Sequence, residues 1–310
     1  MTPLVVAAVL TAAVTHASWN ALAHHIKDQL LAFTLVGSGG ALCGLLLACF
    51  VPVPAAGAWP PLLVSAVLHV VYQLLLMRSF GLGDFGQMYP IARGTAPLVV
   101  TVLAAVFLHE LPDAWQLTGV AVASAGLLGV ALWGIRRKGA RPATGDASAS
   151  SGPSAPSAPS VSSAPSGSSQ FPALIAAVAT GLAIASYTVV DGAGVRASGS
   201  APGYVAWLML LEGLPIPAYA LITRRGALPA QLRPVALRGL AAGALSVVAY
   251  GLVLWAQTRA PLAPVAALRE SSIIAGAAIG AVFFKERFGT PRMAASALLV
   301  GGIALMLHGG

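Results

Sequence analysis

The chain of 310 residues is too apolar and too poor in charge to be a soluble domain. Hydrophobic residues make up 57% and charged residues 8% of it, whereas a soluble domain has about 25% charged residues. The formal net charge is +8, but the 17 Lys and Arg lie scattered between apolar segments and form no basic stripe with interleaved aromatics. The composition therefore argues against a nucleic-acid partner and predicts an integral membrane protein in a lipid bilayer.

Apolar segments long enough to cross a membrane, about 20 residues each, occur ten times along the chain. In order, the predicted spans are Pro3–Ala23, Leu30–Val51, Pro61–Phe80, Phe85–Leu108, Ala114–Gly134, Phe171–Asp191, Gly203–Thr223, Pro234–Ala256, Pro261–Phe284 and Pro291–His308. The predicted fold class is all-α integral membrane, with ten transmembrane helices.

A segment rich in Ser, Pro and Ala separates the fifth predicted span from the sixth. Residues 136–170 begin with three basic residues and continue almost entirely in Ser, Ala, Pro and Gly, a composition that cannot bury enough apolar surface to fold. We expect a disordered linker between a first five-helix unit, 1–135, and a second, 171–310. Because five is odd, the second unit starts from the opposite face of the membrane, which makes the two units inverted repeats.

Two stretches support this repeat directly. Tyr89–Glu110 and Val265–Glu286 correspond at an offset of 176 positions, which pairs Arg93 with Arg269 and Glu110 with Glu286. An arginine within an apolar span costs about 2.5–3.5 kcal/mol or more unless it faces protein or water. An arginine at the same place in two repeats therefore indicates a shared role.

The basic residues also predict how the chain is oriented. Most of them fall in the odd-numbered connections between spans, as follows: Lys27, Arg78, Arg136, Arg137, Lys138, Arg141, Arg224, Arg225, Arg233, Lys285, Arg287 and Arg292. By the positive-inside rule these connections are cytoplasmic and both termini lie outside. We expect a multi-pass protein of a bacterial cytoplasmic (inner) membrane.

Polar residues inside apolar spans are the candidate binding residues, because buried polar groups must pair or line a cavity. His16, Trp19 and Asn20 share one face of the first span, although helix–helix hydrogen bonding would also explain His16 and Asn20. Tyr72 lies beside His69 and Gln73 on one face of the third span. The further candidates are Tyr187 in the sixth span and Tyr250 in the eighth.

The fourth and ninth spans hold the strongest candidates. Tyr89 and Arg93 are one helical turn apart, so a phenol and a guanidinium can face the same substrate. In the ninth span Arg269 and Glu270 are consecutive and point about 100° apart, so each should find its partner elsewhere. The alternative for all three charged residues is a structural ion pair between the halves. Glu270 and Asp191 are possible proton-coupling groups, and Asp191 could instead lie at the membrane interface.

The motifs of common enzymes and cofactor sites are absent from the sequence. It has no G-x-S-x-G, no HExxH, no GxxxxGK[ST] and no paired Cys/His spacing for a metal. We therefore expect no catalytic residues, no metal and no cofactor. The oligomeric state, monomer or homodimer, stays open.

Three runs resemble the EamA-like family of the drug/metabolite transporter superfamily: HASWN at 16–20, YPIARG at 89–94, and APVAALRESS at 263–272, followed by FKERF at 284–288. The resemblance covers nearly the whole chain except the linker. It implies two inverted five-helix repeats, a central cavity lined mainly by spans 1, 3, 4, 6, 8 and 9, and secondary transport of small metabolites, in particular export of amino acids or related compounds.

The resulting prediction is a secondary active transporter that works by alternating access, with a small molecule as substrate. In it, Arg93 and Tyr89 contact a carboxylate of the substrate, since a planar guanidinium suits bidentate capture. Three alternatives stay open: an uncoupled facilitator, a multidrug-type efflux protein, and an intramembrane lipid-modifying enzyme.

Overall fold

The computed structural model of the chain describes residues 1–24, 26–82, 85–139, 171–276, 278 and 290–308. Of residues 24, 79–82, 85–90, 130–139 and 290–292 it describes the backbone alone. The described residues form helices and short connections, with no β-strand among them. The helices are α1 (Pro3–His24), α2 (Gln29–Ala48), α3 (Trp59–Leu82), α4 (Phe85–Leu108), α5 (Ala114–Gly139), α6 (Phe171–Ala197), α7 (Ala201–Gly213), α8 (Pro215–Arg224), α9 (Leu228–Leu232), α10 (Ala236–Gln257), α11 (Leu262–Arg269) and α12 (Thr290–His308).

Six helical stretches of the described chain are long and apolar enough to cross a membrane. One of them, Ala201–Gln257, runs through α7 to α10, and two further apolar helices, Ala114–Gly129 and Met293–His308, are shorter. Large apolar side chains stay exposed on these stretches; Val67 is 63% and Ile222 is 71% exposed. A soluble protein does not expose apolar surface on this scale. The chain is therefore a multi-pass membrane protein, while the number of ten crossings stays a prediction.

The structure bears on the predicted linker only at its start. Helix α5 continues to Gly139 and so includes the basic residues 136–138, which the composition assigns to the linker. Residues 140–170 lie outside the described part of the chain.

Two of the predicted spans are interrupted helices. The seventh is divided at Leu214 into α7 and α8, where Pro215 has no N–H to continue the first helix. The ninth stops after Arg269, with a turn at Glu270 and Ser271 before residues 272–276 resume a helix. Interrupted helices free backbone groups and occur at the binding sites of many transporters.

The helices of the two halves of the chain pack against one another in reciprocal pairs. The contact of α3 with α6 corresponds to that of α10 with α1. The contact of α4 with α6 corresponds to that of α11 with α1, and the contact of α2 with α10 corresponds to that of α7 with α3. Three further pairs, α2 with α7, α4 with α11, and α5 with α12, join helices of equal rank in the two halves. These contacts between the halves thus each have a counterpart with the halves reversed.

Glycines allow the closest of these approaches. A Cβ added to Gly213 would lie 2.5 Å from the carbonyl oxygen of Gly37, and one added to Gly37 would lie 2.9 Å from that of Gly213. In the α5–α12 pair, a Cβ on Gly302 would lie 2.5 Å from the Gly119 carbonyl oxygen. Only glycine fits at such distances, because any other residue would clash with backbone.

Ion pairs join the halves near the ends of the helices. Arg196 donates to Glu110 through Nη1 and to the Gln257 carbonyl through Nε at 2.8 Å. Glu110 also accepts from the Leu262 N–H at 2.7 Å, at the start of α11, where a carboxylate is favoured by the helix dipole. Elsewhere, Arg224 Nη2 lies 2.7 Å from Asp28 Oδ2.

Candidate functional site

A cavity of about 100 Å³ lies between the two halves. Helices α1, α2 and α3 of the first half and α6, α7, α10 and α11 of the second contribute its walls. At about 10–15 Å³ for each water position, it has room for a small polar molecule. Six of the predicted binding residues line it: His16, Trp19, Tyr72, Tyr187, Tyr250 and Arg269.

Arg93 does not line this cavity; its guanidinium belongs to a buried ion pair. Its Nε lies 2.7 Å from Glu270 Oε2, and its Nη2 donates to Ser272 Oγ at 2.8 Å. Arg93 is 3% exposed and Glu270 is 1% exposed. The pair links α4 of the first half to the interruption in the ninth span. This is the structural ion pair that the sequence left open as an alternative.

Arg269 occupies the equivalent place in the second half and has a different environment. It is 5% exposed and lines the cavity, its Nε has no hydrogen-bond partner among the described residues, and it makes no ion pair with them. The Tyr187 hydroxyl is within hydrogen-bonding reach of its guanidinium. Position 94, which is equivalent to Glu270, is a glycine, so the first half offers Arg269 no matching carboxylate. The repeat therefore leaves one paired and one available arginine.

Arg269 and Glu270 are neighbours in the chain and have different partners. Arg269 ends α11, and Glu270 caps it with its N–H directed to the Ala267 carbonyl at 3.1 Å. The two residues are consecutive and point about 100° apart, and Glu270 meets Arg93 while Arg269 lines the cavity. As expected from their spacing, the two residues do not hydrogen-bond to one another.

The first-span residues differ in what they contact. Trp19 Nε1 donates to His16 Nδ1 at 3.3 Å. An indole N–H can only donate, so Nδ1 accepts and the ring hydrogen of His16 is on Nε2. Asn20 donates to the His16 carbonyl of its own helix at 2.9 Å and is not among the cavity-lining residues. Tyr89 lies on α4, but its side chain is outside the described residues.

Asp191 is buried inside the helix bundle. It is 0% exposed and accepts from the Tyr204 hydroxyl at 2.9 Å and from the Tyr250 hydroxyl. His69 Nε2 is 4.0 Å from Asp191 Oδ2, and the His69 ring stacks on Tyr187 at 3.9 Å between centroids. Asp191 does not itself line the cavity, but Tyr250, which donates to it, does.

Glu212 is a cavity residue that the sequence reasoning missed. It lies in the last turn of α7, lines the cavity, and places Oε2 3.5 Å from His69 Nδ1. It is a lone acidic residue in a long apolar run, so the reasoning applied to the arginines would have found it. His69, which also lines the cavity, was noted on the third span without a role.

Comparison with known proteins finds a family match for the C-terminal part of the chain, somewhat less than half of it. Residues 171–308 match the model of the EamA-like transporter family, which is in the drug/metabolite transporter superfamily. This part of the chain is similar to the EamA-like transporter family. The match confirms the resemblance seen in the sequence, and it covers α6 to α12 with Arg269, Glu270, Asp191 and Glu212. The family is one of membrane transporters, so the match supports a membrane transporter of small molecules.

A solved structure has a similar fold over nearly the whole chain. One crystal structure, described only as that of a protein, is 14% identical, has a TM-score of 0.63, and matches over 99% of this chain and 98% of its own. At this identity the likeness concerns the fold alone. No curated protein matches the chain.

Proposed function

We propose that this protein is a secondary active transporter that exports amino acids or related small organic compounds across a bacterial cytoplasmic membrane. It works by alternating access between two inverted five-helix repeats, 1–135 and 171–310, which residues 136–170 join. The available guanidinium of Arg269 in a cavity between the halves is the observation that carries this proposal.

The reciprocal helix packing supports the inverted repeat. In a pair of units related by a two-fold axis, each contact has a counterpart with the units exchanged, and residues on the axis meet their own equivalents. Gly37 and Gly213 are 176 positions apart, the offset that relates Arg93 to Arg269, and their backbones touch. The pairing of α2 with α7 thus has the geometry of helices that cross at such an axis.

Arg269 is the residue we assign to the substrate carboxylate. A buried guanidinium with an unused N–H loses solvation without a compensating hydrogen bond, and a carboxylate accepts from two of its N–H groups at once. Arg93 was the sequence-based choice for this role, but its Nε and Nη2 already donate to Glu270 and Ser272. We therefore give Arg93 the role of fixing the interruption that directs Arg269 into the cavity.

The remaining cavity residues complete a partly aromatic site. The Nε2–H of His16 provides a further donor near Arg269, while Trp19, Tyr72, Tyr187 and Tyr250 form apolar walls with polar tips. With alternating spans, the Glu110–Arg196 and Asp28–Arg224 pairs lie on opposite faces of the membrane. Because both pairs join the halves, opening either face requires one of them to separate.

Transport by purified protein in liposomes tests the proposal. Liposomes preloaded with unlabelled solute are supplied with labelled amino acids, organic acids or cationic drugs, and exchange is measured with and without a pH or sodium gradient. We expect exchange of carboxylate-bearing solutes, and accumulation when the correct gradient is imposed. Arg269→Gln should lower this exchange by about 100-fold, as expected when a buried charged partner of the ligand is removed.

The matched control is Arg259→Gln. Arg259 is an exposed arginine that lies over the Trp255 ring, 5.2 Å from its centroid, and does not line the cavity, so exchange should be retained. Exchange without accumulation under any gradient would indicate an uncoupled facilitator. Movement of cationic drugs alone would indicate multidrug efflux, and a chemically altered solute would indicate an enzyme. No movement of any solute contradicts the proposal.

A further inference from the structure

Glu212 has a carboxylate oxygen that the protein leaves without a donor. Oε2 is buried and has no hydrogen-bond partner within the described chain, although the side chain lines the cavity and is 12% exposed. A carboxylate in such a place favours a cation or a hydrogen-bond donor next to it. The question is which group supplies it.

The neighbouring donors are already committed to other acceptors. His69 Nδ1 is 3.0 Å from the Ser65 carbonyl oxygen, and because a carbonyl only accepts, the hydrogen on Nδ1 is directed there. The hydroxyls of Tyr204 and Tyr250 both donate to Asp191. Glu212 is therefore in contact with His69 at 3.5 Å without receiving a hydrogen bond from it.

Charged groups of both signs line the cavity. Around Arg269, two guanidinium groups face a single carboxylate, that of Glu270. Around Glu212, two carboxylates, Glu212 and Asp191, face the single imidazole of His69. The cavity lining thus holds a guanidinium and a carboxylate.

Aromatic rings stand beside His69, the neighbour of Glu212. Tyr187 stacks on His69, and Tyr250 meets the same ring edge-on at 5.3 Å between centroids. A carboxylate next to aromatic faces is the combination that recognises an ammonium group. A cavity of about 100 Å³ restricts the ligand to one whose two charged groups are close together.

We propose that Glu212 binds the ammonium group of a zwitterionic substrate whose carboxylate is held by Arg269. This inference rests on the proposed function and narrows its substrate to α-amino acids and similar zwitterions. Plain organic acids and plain amines satisfy one of these two charged groups and leave the other buried and unpaired.

The test compares each transported amino acid with its 2-hydroxy acid, which has the same side chain and carboxylate but no ammonium. In wild-type protein we expect kcat/KM for the hydroxy acid to be lower by about 30-fold or more, as for loss of one partner of a buried charge contact. Glu212→Gln should lower kcat/KM for the amino acid by a similar factor and leave that for the hydroxy acid within about 3-fold. The variant then loses its preference because kcat/KM falls for the amino acid alone. A general packing defect would lower kcat/KM for both substrates.

Two further variants complete the design. Asp113→Asn removes an exposed carboxylate that caps α5 through the Gln116 N–H, and since asparagine caps equally well, selectivity should be unchanged. Glu212→Asp keeps the charge and should keep the preference for the amino acid, which separates charge from folding if Glu212→Gln is unstable.

Several results would overturn the inference. One is equal transport of amino and hydroxy acids by the wild-type protein, which needs no variant to observe. Another is an equal loss of both substrates in Glu212→Gln. A third is intact selectivity with loss of pH-driven accumulation, which would make Glu212 a proton site. In these cases the transporter proposal still stands, whereas failure of every solute to move overturns both.

Discussion

Removing Glu270 should destabilise the protein far more than removing Arg269. Arg93 and Glu270 are 3% and 1% exposed and are joined at 2.7 Å, and breaking such a buried pair costs about 3–5 kcal/mol because one charge stays buried without its partner. Arg269 makes no ion pair within the described chain, so Arg269→Gln should change stability by less than about 1 kcal/mol. The measurement is thermal unfolding of the protein in detergent, followed by tryptophan fluorescence, with yield recorded in parallel.

The double variant Arg93→Met with Glu270→Leu serves as the internal control. Apolar residues of similar volume can replace a buried ion pair at little cost, so the double variant should recover most of the stability lost in Glu270→Gln. Transport would not recover to the same extent, because the interruption that directs Arg269 would have lost its anchor. Equal destabilisation by Glu270→Gln and Arg269→Gln would refute the assignment of one structural and one ligand-binding arginine.

Two further predictions concern contacts between the halves. Gly302→Ala should destabilise the protein by about 1–3 kcal/mol through overpacking, because its Cβ would lie 2.5 Å from the Gly119 carbonyl oxygen. The control Gly301→Ala should be neutral, because a Cβ at Gly301 has nothing within 4 Å. Similar unfolding temperatures for the two variants would contradict the close packing. Glu110→Arg should lower transport and Arg196→Glu in the same chain should restore part of it, because the two side chains form an ion pair across the halves; purely additive losses would show that the pair does not couple them.

The sequence predicts the residues of the site insofar as they are polar side chains in apolar spans. Six of the residues chosen as polar outliers in apolar spans line the cavity, because a polar side chain in a membrane must pair or face a cavity wherever the helices lie. The same reasoning could not separate Asn20, which satisfies itself on its own helix, from His16 and Trp19. It also missed Glu212, which required only that the seventh span be read for charge as the others were.

The sequence alone determined that this protein lies in a membrane, and it supports two related halves in which equivalent spans each carry an arginine. These follow from composition and register, which do not depend on how the helices approach one another. Only the tertiary structure decided which arginine is satisfied, because Glu270 is adjacent to Arg269 in the chain and yet bonds to Arg93 across the halves. An ion pair forms between the groups that meet in space, and the packing of α4 brings Arg93 to Glu270 while Arg269 lines the cavity.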